Sequence, residues 1–180
     1  MDTPPFPTWV DAFDTRVDNW FDRIRRPALD PVFYGISSAA DHSILWLSIS
    51  ALRALLDRDP AVALRISGVI AAESALTNGP IKMMFRRVRP DRDLSEPPPY
   101  GMRIPITSSF PSGHATAAFT AAMVLTRRPR EAWFWFPLAG LVASSRVYVK
   151  MHHASDVVAG AALGLALGAI GRRVVRHRAR

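Results

Sequence analysis

The chain has 180 residues, which suits a single domain, and it contains no cysteine, which excludes disulfides and thiolate metal sites. Its formal net charge is +8, and 49% of its residues are hydrophobic. Long apolar stretches alternate with short, heavily charged ones, a pattern typical of membrane proteins rather than soluble ones. The positive charge comes almost entirely from arginine. On charge alone, nucleic acid, anionic lipid and phosphate compounds all stay open as partners.

The N-terminal part of the chain predicts a helix at a membrane surface. Residues 8–26 carry tryptophan, phenylalanine, valine and isoleucine at helical spacing, with aspartate and arginine between them. Such an amphipathic helix is expected to lie in the membrane interface. A mixed segment that contains Pro27 and Pro31 then extends to His42. We assign 1–42 to an amphipathic N-terminal segment.

Five apolar stretches follow, and a helix that crosses a bilayer needs about 20 residues. They lie at 43–56, 61–80, 110–126, 132–149 and 155–171. The last is rich in Gly and Ala, which permits close helix packing in a bilayer. The pattern predicts an all-α, multi-pass membrane helical bundle, with about five transmembrane helices and the N-terminal amphipathic helix. This transmembrane domain spans 43–172, and a basic tail follows at 173–180. A soluble helical bundle is the alternative, because the mean hydropathy is low for a membrane protein.

Glu73 lies inside the second apolar stretch. A carboxylate at that depth must be protonated or paired. We expect it either to pair with an arginine or to form a wall of a substrate cleft, and the sequence leaves both open.

Three polar segments are predicted to meet at one face of the membrane. With five crossings, the residues after the second helix, before the third, after the fourth and before the fifth all emerge on the same side. That side collects 82–90, 111–114 and 145–156, whereas the tail lies on the opposite side. Residues far apart in the chain are therefore expected to form one site.

The basic residues of these segments point to a phosphate ligand. Lys82 and Arg89 are seven residues apart, which places both on one face if the segment is helical. Arg146 supplies a third cation, and a phosphate dianion neutralises such a cluster. A helix that begins near Ser112 presents free backbone N–H groups to an anion, and Gly113 permits close approach of the backbone. The segments therefore predict an oxyanion-binding site.

Two histidines complete the predicted chemistry. His152 and Asp156 are four residues apart, so on a helix the carboxylate can accept a hydrogen bond from one imidazole nitrogen and leave the other free to attack. His114 lies at the edge of the phosphate site, where it can protonate a departing alkoxide. The sequence therefore predicts a histidine nucleophile and a histidine acid.

These residues resemble the three-part signature of the type 2 phosphatidic acid phosphatase superfamily, which also contains vanadium haloperoxidases and soluble bacterial acid phosphatases. The resemblance covers 82–156. It implies that His152 attacks phosphorus to give a phosphohistidine, that Asp156 orients it, and that His114 acts as acid and later as base towards water. It also implies a helical core and no metal or other cofactor. The phosphate ligands that it implies are Lys82, Arg89, Ser112, Gly113 and Arg146.

Other polar residues near the signature have simpler interpretations. Four basic residues are expected to anchor helix ends at the membrane surface: Arg86, Arg87, Arg92 and Lys150. Asp41 is expected to cap the first spanning helix, although its neighbour His42 could contact substrate. His153 points about 100° away from His152 if both are helical, which favours an interfacial position. The proline-rich segment 94–102 is expected to be a loop that shapes access to the site.

A phosphate site at a membrane surface implies a substrate whose phosphate lies there too. We expect a phosphomonoesterase in the cell membrane that acts on a polyprenyl or phospholipid phosphate, with the lipid bilayer and no nucleic acid as partners. Resemblance to small actinobacterial members of the superfamily makes decaprenylphosphoryl-5-phosphoribose a candidate substrate. The alternatives are a vanadate-dependent haloperoxidase and a non-catalytic protein that binds anionic lipid. With the signature residues left out, basic residues are equally numerous on the two predicted sides, so the sequence does not predict the orientation; it does not predict the oligomeric state either.

Overall fold

Seven α-helices make up the computed structural model, which describes residues 6–90, 99–102 and 105–177. They are α1 (Thr8–Ile24), α2 (Asp30–Ala39), α3 (Ile44–Asp57), α4 (Pro60–Leu76), α5 (Gly113–Leu125), α6 (Ala132–Tyr148) and α7 (Ala154–His177). No strand occurs within these ranges. The predicted all-α fold is confirmed.

The five predicted apolar stretches correspond to α3 to α7. Two segments, Pro60–Ile81 and Ala154–Val175, are each long and apolar enough to cross a membrane, and Gly113–Leu125 is apolar but shorter. Five crossings therefore stay a prediction. Helix α7 continues to His177, so the first part of the predicted basic tail is helical. Residues 178–180 of that tail lie outside the described part of the chain.

Helix α2 is a feature that the sequence analysis read only as a mixed segment. Pro31 occupies its first turn, where a proline costs no backbone hydrogen bond. The proline therefore starts a helix rather than interrupting one. Helix α2 ends at Ala39, and the turn that follows leads into α3.

Helices α5 and α7 pack with their backbones in close contact, through glycines of α7 spaced four residues apart. A Cβ at Gly160 would lie 2.5 Å from Ser112 O, and one at Gly164 would lie 2.4 Å from Thr116 O. No side chain fits at these positions, which confirms the close packing expected of a Gly- and Ala-rich helix. The contact places the N-terminal ends of α5 and α7 side by side.

The core has two parts. The larger lies between α3, α4, α5 and α6, where Trp46, Ile66 and Leu125 are almost fully buried. The smaller joins α1 and α2 to the end of α6, where Phe33 stacks on Tyr148 with ring centroids 4.0 Å apart. Helix α1 therefore packs on one end of the bundle. Its opposite face exposes Trp9 and Trp20, as expected of an amphipathic helix at an interface.

Candidate active site

A cavity of about 770 Å³ lies where the ends of α4 and α6 meet the segments that precede α3, α5 and α7. Six of the eight predicted site residues line it: Lys82, Arg89, Gly113, His114, Arg146 and His152. The other two, Ser112 and Asp156, are fully buried next to it. The three polar segments thus meet as predicted, although their chemical roles stay proposals.

Lys82 and Arg89 reach the cavity by a route that the sequence analysis did not predict. Helix α4 ends in a distorted turn, Thr77–Ile81, which contains Gly79 and Pro80, and residues 85–90 are not helical. The expectation that Lys82 and Arg89 share one helix face is therefore wrong. The helical conformation ends at Met84, between the two residues, so they cannot share a helix face.

The Arg89 guanidinium is held by backbone carbonyls. It donates to Met151 O at 2.7 Å, to Pro105 O at 3.1 Å and to Thr107 O at 3.2 Å. These contacts fix the side chain between the segments that precede α5 and α7. Arg89 is therefore positioned before any anion binds.

Because three cations share one cavity, their mutual repulsion makes the charged form of each less favourable. Burial, followed by the charges of Arg89 and Arg146, lowers the pKa of Lys82 to about 8. Arg146 is buried, and its Nη1 donates to Ser37 Oγ. A bound anion relieves this repulsion, and a phosphate with several peripheral oxygens can meet all three side chains.

Ser112 caps helix α5. Its hydroxyl accepts from Ala115 N at 3.5 Å, and its own N–H donates to Asp156 O at 3.0 Å. The N–H groups of Gly113 and His114 lie in the first helical turn, before intrahelical hydrogen bonding begins, so they are available to an anion in the cavity. A Cβ at Gly113 would lie 2.8 Å from Asn78 Oδ1, so a side chain at this position would displace Asn78.

His152 and Asp156 form a pair that does not lie on one helix. Helix α7 begins at Ala154, and His152 is buried in the segment before it, so the helical i, i+4 geometry expected from the sequence is wrong. His152 Nδ1 lies 3.6 Å from Asp156 Oδ2, and Nε2 lies 3.5 Å from Arg89 Nη1. Asp156 Oδ2 also accepts from His153 N at 2.9 Å. Nδ1 therefore faces the carboxylate, whereas Nε2 faces the cationic side of the cavity.

The surroundings of His152 keep its imidazole neutral. Burial lowers the pKa of His152 to about 3; the charges of Arg146 and Arg89 act in the same direction, and Asp156 opposes them. A neutral imidazole with Nδ1 towards a carboxylate carries an unprotonated Nε2. Such a nitrogen can attack phosphorus.

Arg87 is a site residue that the sequence analysis missed. Its Nη1 donates to Asp156 Oδ1 at 2.6 Å and to Ser155 Oγ at 2.6 Å, while its Nη2 donates to Asp14 Oδ2 at 2.6 Å. Arg87 is 8% exposed, so its assignment as an anchor at the membrane surface is wrong. Reading 85–90 as extended would have placed Arg87 on the same side as Arg89, since side chains alternate in an extended chain.

Asp41 is a second missed residue. Its Oδ1 lies 2.8 Å from His114 Nε2. Burial opposes ionisation of Asp41, but the hydrogen bond and the charges of His114 and Arg146 outweigh it, so the pKa of this carboxyl is lowered. Because the carboxylate accepts, Nε2 carries a proton and Nδ1 is the nitrogen left for the cavity. The expectation that Asp41 caps the first spanning helix is wrong, since Ser43 precedes α3 directly.

Glu73 fits neither of its two expected roles. Its side chain is buried, and Oε1 accepts from the Thr77 hydroxyl at 3.0 Å. In the described part of the chain it neither pairs with an arginine nor lines the cavity. The paired hydroxyl belongs to the distorted turn, so Glu73 supports the end of α4.

The remaining predicted positions are peripheral. His153 Nε2 lies 3.2 Å from Val88 O, and Lys150 Nζ lies 3.4 Å from Asp22 Oδ1 of α1. Arg86 is exposed. Arg92, and residues 94–98 of the proline-rich segment, lie outside the described residues, whereas Tyr100 and Gly101 of that segment line the cavity.

The described residues form helices that carry a cationic, histidine-bearing cavity at one end, and such a site has the chemistry that a phosphatase needs. A family model described as the PAP2 superfamily matches residues 62–180, and the chain belongs to this superfamily. The resemblance seen in the three signature segments is thereby confirmed.

Several relatives of the chain are phosphatases by name. A decaprenylphosphoryl-5-phosphoribose phosphatase of Mycobacterium tuberculosis is 33% identical over 147 residues, which cover 82% of this chain and 81% of that one. A lipid A 4'-phosphatase of Porphyromonas gingivalis is 31% identical over 81% of this chain and 65% of its own length. A crystal structure of a transmembrane PAP2-type phosphatidylglycerolphosphate phosphatase from Bacillus subtilis superposes with a TM-score of 0.74 and 26% identity, covering 93% of this chain and 87% of that one. The chain is therefore a membrane phosphatase, and the non-catalytic alternative is set aside.

Proposed function

We propose that the protein hydrolyses a lipid phosphomonoester at one face of the cell membrane, through a phosphohistidine on His152. The observation that carries the proposal is the gathering of Lys82, Arg89, Arg146, His114 and His152 around one cavity. Three cations balance the charge of a phosphate dianion, so the proposed mechanism needs no metal ion.

The first half of the reaction forms the covalent intermediate. The phosphate is bound by the three cations and by the N-terminus of α5 at Ser112 and Gly113. His152 Nε2 attacks phosphorus, so an N–P bond forms as the bond from phosphorus to the leaving oxygen breaks. His114, protonated at Nδ1, gives that proton to the leaving oxygen. Asp156 orients His152 and stabilises the positive charge that develops on its ring.

The second half releases phosphate. His114, now neutral at Nδ1, takes a proton from a water molecule, which attacks the phosphohistidine. The N–P bond breaks, inorganic phosphate leaves and His152 is regenerated. Each turnover therefore consumes one water and yields one alcohol and one phosphate.

The substrate that we propose is decaprenylphosphoryl-5-phosphoribose. The Mycobacterium tuberculosis relative is named for this activity, and the alignment with it covers about four fifths of both chains. In this proposal α3 to α7 all cross the cell membrane, and α1 lies in its interface.

Phosphate release tests the function directly. Purified protein in detergent is given a panel of lipid phosphates that includes decaprenylphosphoryl-5-phosphoribose, polyprenyl phosphates and phosphatidic acid, with EDTA present throughout. His152→Ala should abolish release, whereas His153→Ala, the adjacent imidazole turned towards Val88 O, should retain most of it. Loss of activity in EDTA would contradict the metal-free mechanism. Halide oxidation after addition of vanadate, with negligible phosphate release, would favour the haloperoxidase alternative.

A further inference from the structure

The cavity is larger than a phosphate group needs. Its volume of about 770 Å³ lies within the range of about 300–1,000 Å³ typical of pockets that hold whole small molecules. Its lining includes a second group of polar side chains besides the cations. We call these the leaving-group wall: His42, Ser43, Ser74 and Asn78.

Two members of the leaving-group wall stand in a strained turn. His42 has φ 52° and Ser43 has φ 61°, so two consecutive residues other than glycine occupy the left-handed region. Side chains with a Cβ are disfavoured there, and such strain concentrates at functional sites. In the described structure the Ser43 hydroxyl does not cap α3, although serine favours that role. The backbone strain makes the turn locally less stable, and both polar side chains line the cavity.

The position of this turn relative to the reaction follows from its neighbour Asp41. Asp41 Oδ1 is 2.8 Å from His114 Nε2, and His114 is the proposed acid for the leaving oxygen. In-line displacement places the attacking and leaving atoms on opposite sides of phosphorus, so the leaving alcohol lies on the His114 side, away from His152. His42 and Ser43 directly follow the residue that holds that acid. The turn thus lies next to the alcohol that departs.

Ser74, near the end of α4, and Asn78, in the distorted turn after it, approach the same region. Asn78 Nδ2 donates to Ser74 Oγ at 3.2 Å, and a Cβ at Gly113 would lie 2.8 Å from Asn78 Oδ1. The amide therefore lies against the first residue of α5, beside the phosphate-binding end. Together with the turn, it surrounds the leaving alcohol with an imidazole, two hydroxyls and an amide.

We propose that the leaving-group wall is a subsite for hydroxyl groups, so that the preferred substrate carries its phosphate on a sugar rather than directly on the lipid chain. The inference rests on the proposed function and adds the residues that select the substrate. A purely apolar leaving group would displace water from these polar side chains and offer no hydrogen bonds in place of those lost to water. A polyhydroxylated leaving alcohol supplies both donors and acceptors for them.

The test compares two substrates with the same tail, decaprenylphosphoryl-5-phosphoribose and decaprenyl monophosphate, in the same detergent. The wild-type protein should show at least about tenfold higher kcat/KM for the sugar phosphate, the effect of one or two hydrogen bonds. His42→Gly and Ser43→Gly remove the side chains and suit the positive φ, so both variants should fold. Each should lower the ratio of kcat/KM between the two substrates by about tenfold.

Arg58→Gly is the matched control. Arg58 also has a positive φ, 53°, but it ends α3 on the side away from the cavity. This variant should keep the wild-type ratio, because glycine relieves the same backbone strain there without touching the subsite. A ratio that stays unchanged in the His42 and Ser43 variants, or a wild-type preference for decaprenyl monophosphate, would overturn the subsite. Absence of phosphate release from every lipid phosphate would instead overturn the proposed function.

Discussion

Arg87 Nη1 lies 2.6 Å from Asp156 Oδ1, and both side chains are buried. The second guanidinium nitrogen, Nη2, meets Asp14 of α1 at 2.6 Å. Asp156 in turn is the carboxylate beside His152 Nδ1. A chain of charged groups therefore runs from the N-terminal helix to the proposed nucleophile, and it makes α1 part of the support of the site.

Arg87→Lys should show whether Arg87 positions Asp156 for catalysis or contributes to substrate binding. Lysine has a single side-chain nitrogen, so it cannot donate to Asp156 and to Asp14 from two separate nitrogens as arginine does. Asp156 should therefore lose its fixed orientation. We expect kcat to fall about 10- to 100-fold with little change in KM, because supporting contacts of this kind typically cost that much activity. Steady-state kinetics on a lipid phosphate measure the split.

The neighbouring Arg86 is exposed and provides the control for this experiment. Arg86→Lys should keep wild-type kcat, and the thermal midpoint of each variant reports whether it is folded. Full kcat in a folded Arg87→Lys protein would show that the contact with Asp156 has no catalytic consequence.

Asp41→Asn tests the partner of His114. Asparagine keeps the size of the side chain but removes the charge that favours a protonated imidazole, so proton donation to the leaving oxygen should weaken. We expect about a 10- to 100-fold loss of kcat on alkyl phosphates, within the range of general acid catalysis. p-Nitrophenyl phosphate, whose leaving group needs no proton, should lose much less. An equal loss on both substrates would contradict a role for Asp41 through His114.

The pH profile should report Lys82. Its pKa is lowered to about 8, so above that pH the free enzyme loses one of three phosphate-binding charges. The profile of kcat/KM should therefore fall on the alkaline side with an apparent pKa near 8, whereas kcat should fall at higher pH because bound phosphate keeps the lysine protonated. Lys82→Arg should move the alkaline limb of kcat/KM upward, since arginine stays charged. If this substitution left the alkaline limb unchanged, the fall in kcat/KM would be due to the titration of a group other than Lys82.

Stability should depend on the contact between α5 and α7. A Cβ at Gly164 would lie 2.4 Å from Thr116 O, so Gly164→Ala must push the two helices apart. We expect a loss of about 1–3 kcal/mol in unfolding free energy and lower activity, because this contact holds the His114 and Asp156 ends together. Thermal unfolding in detergent measures the change in stability.

Gly68 offers a matched control within α4, because a Cβ there meets nothing within 4 Å. Gly68→Ala should leave stability unchanged or raise it by up to about 1 kcal/mol, the helix preference of alanine over glycine. If Gly164→Ala were as harmless as Gly68→Ala, the close packing of α5 and α7 would not be what holds the site.

The sequence was sufficient for features that depend on local pattern. Apolar runs located α3 to α7, and the three signature segments identified the residues that the structure brings to one cavity. Contacts between residues far apart in the chain could not be predicted from the sequence. Asp41 and His114 are 73 positions apart, and Arg87 and Asp156 are 69 apart, so no spacing rule connects either pair.

The local geometry around the signature was also hidden. The chain leaves the helical conformation after Met84, so Arg89 does not lie on the helix that the seven-residue spacing suggested. The start of α7 at Ala154 takes His152 off the helix that carries Asp156. In both cases tertiary contacts, rather than helical periodicity, place the side chains in the site.

A covalent phosphate on His152 is the central claim, and rapid quenching tests it most directly. Protein mixed with ³²P-labelled lipid phosphate is quenched in alkali, which preserves phosphohistidine, and the labelled peptide is identified by mass spectrometry. The account predicts label on His152 within the first turnover, none in His152→Ala, and normal labelling in His153→Ala. Label on a different residue, or continued turnover by His152→Ala, would contradict it.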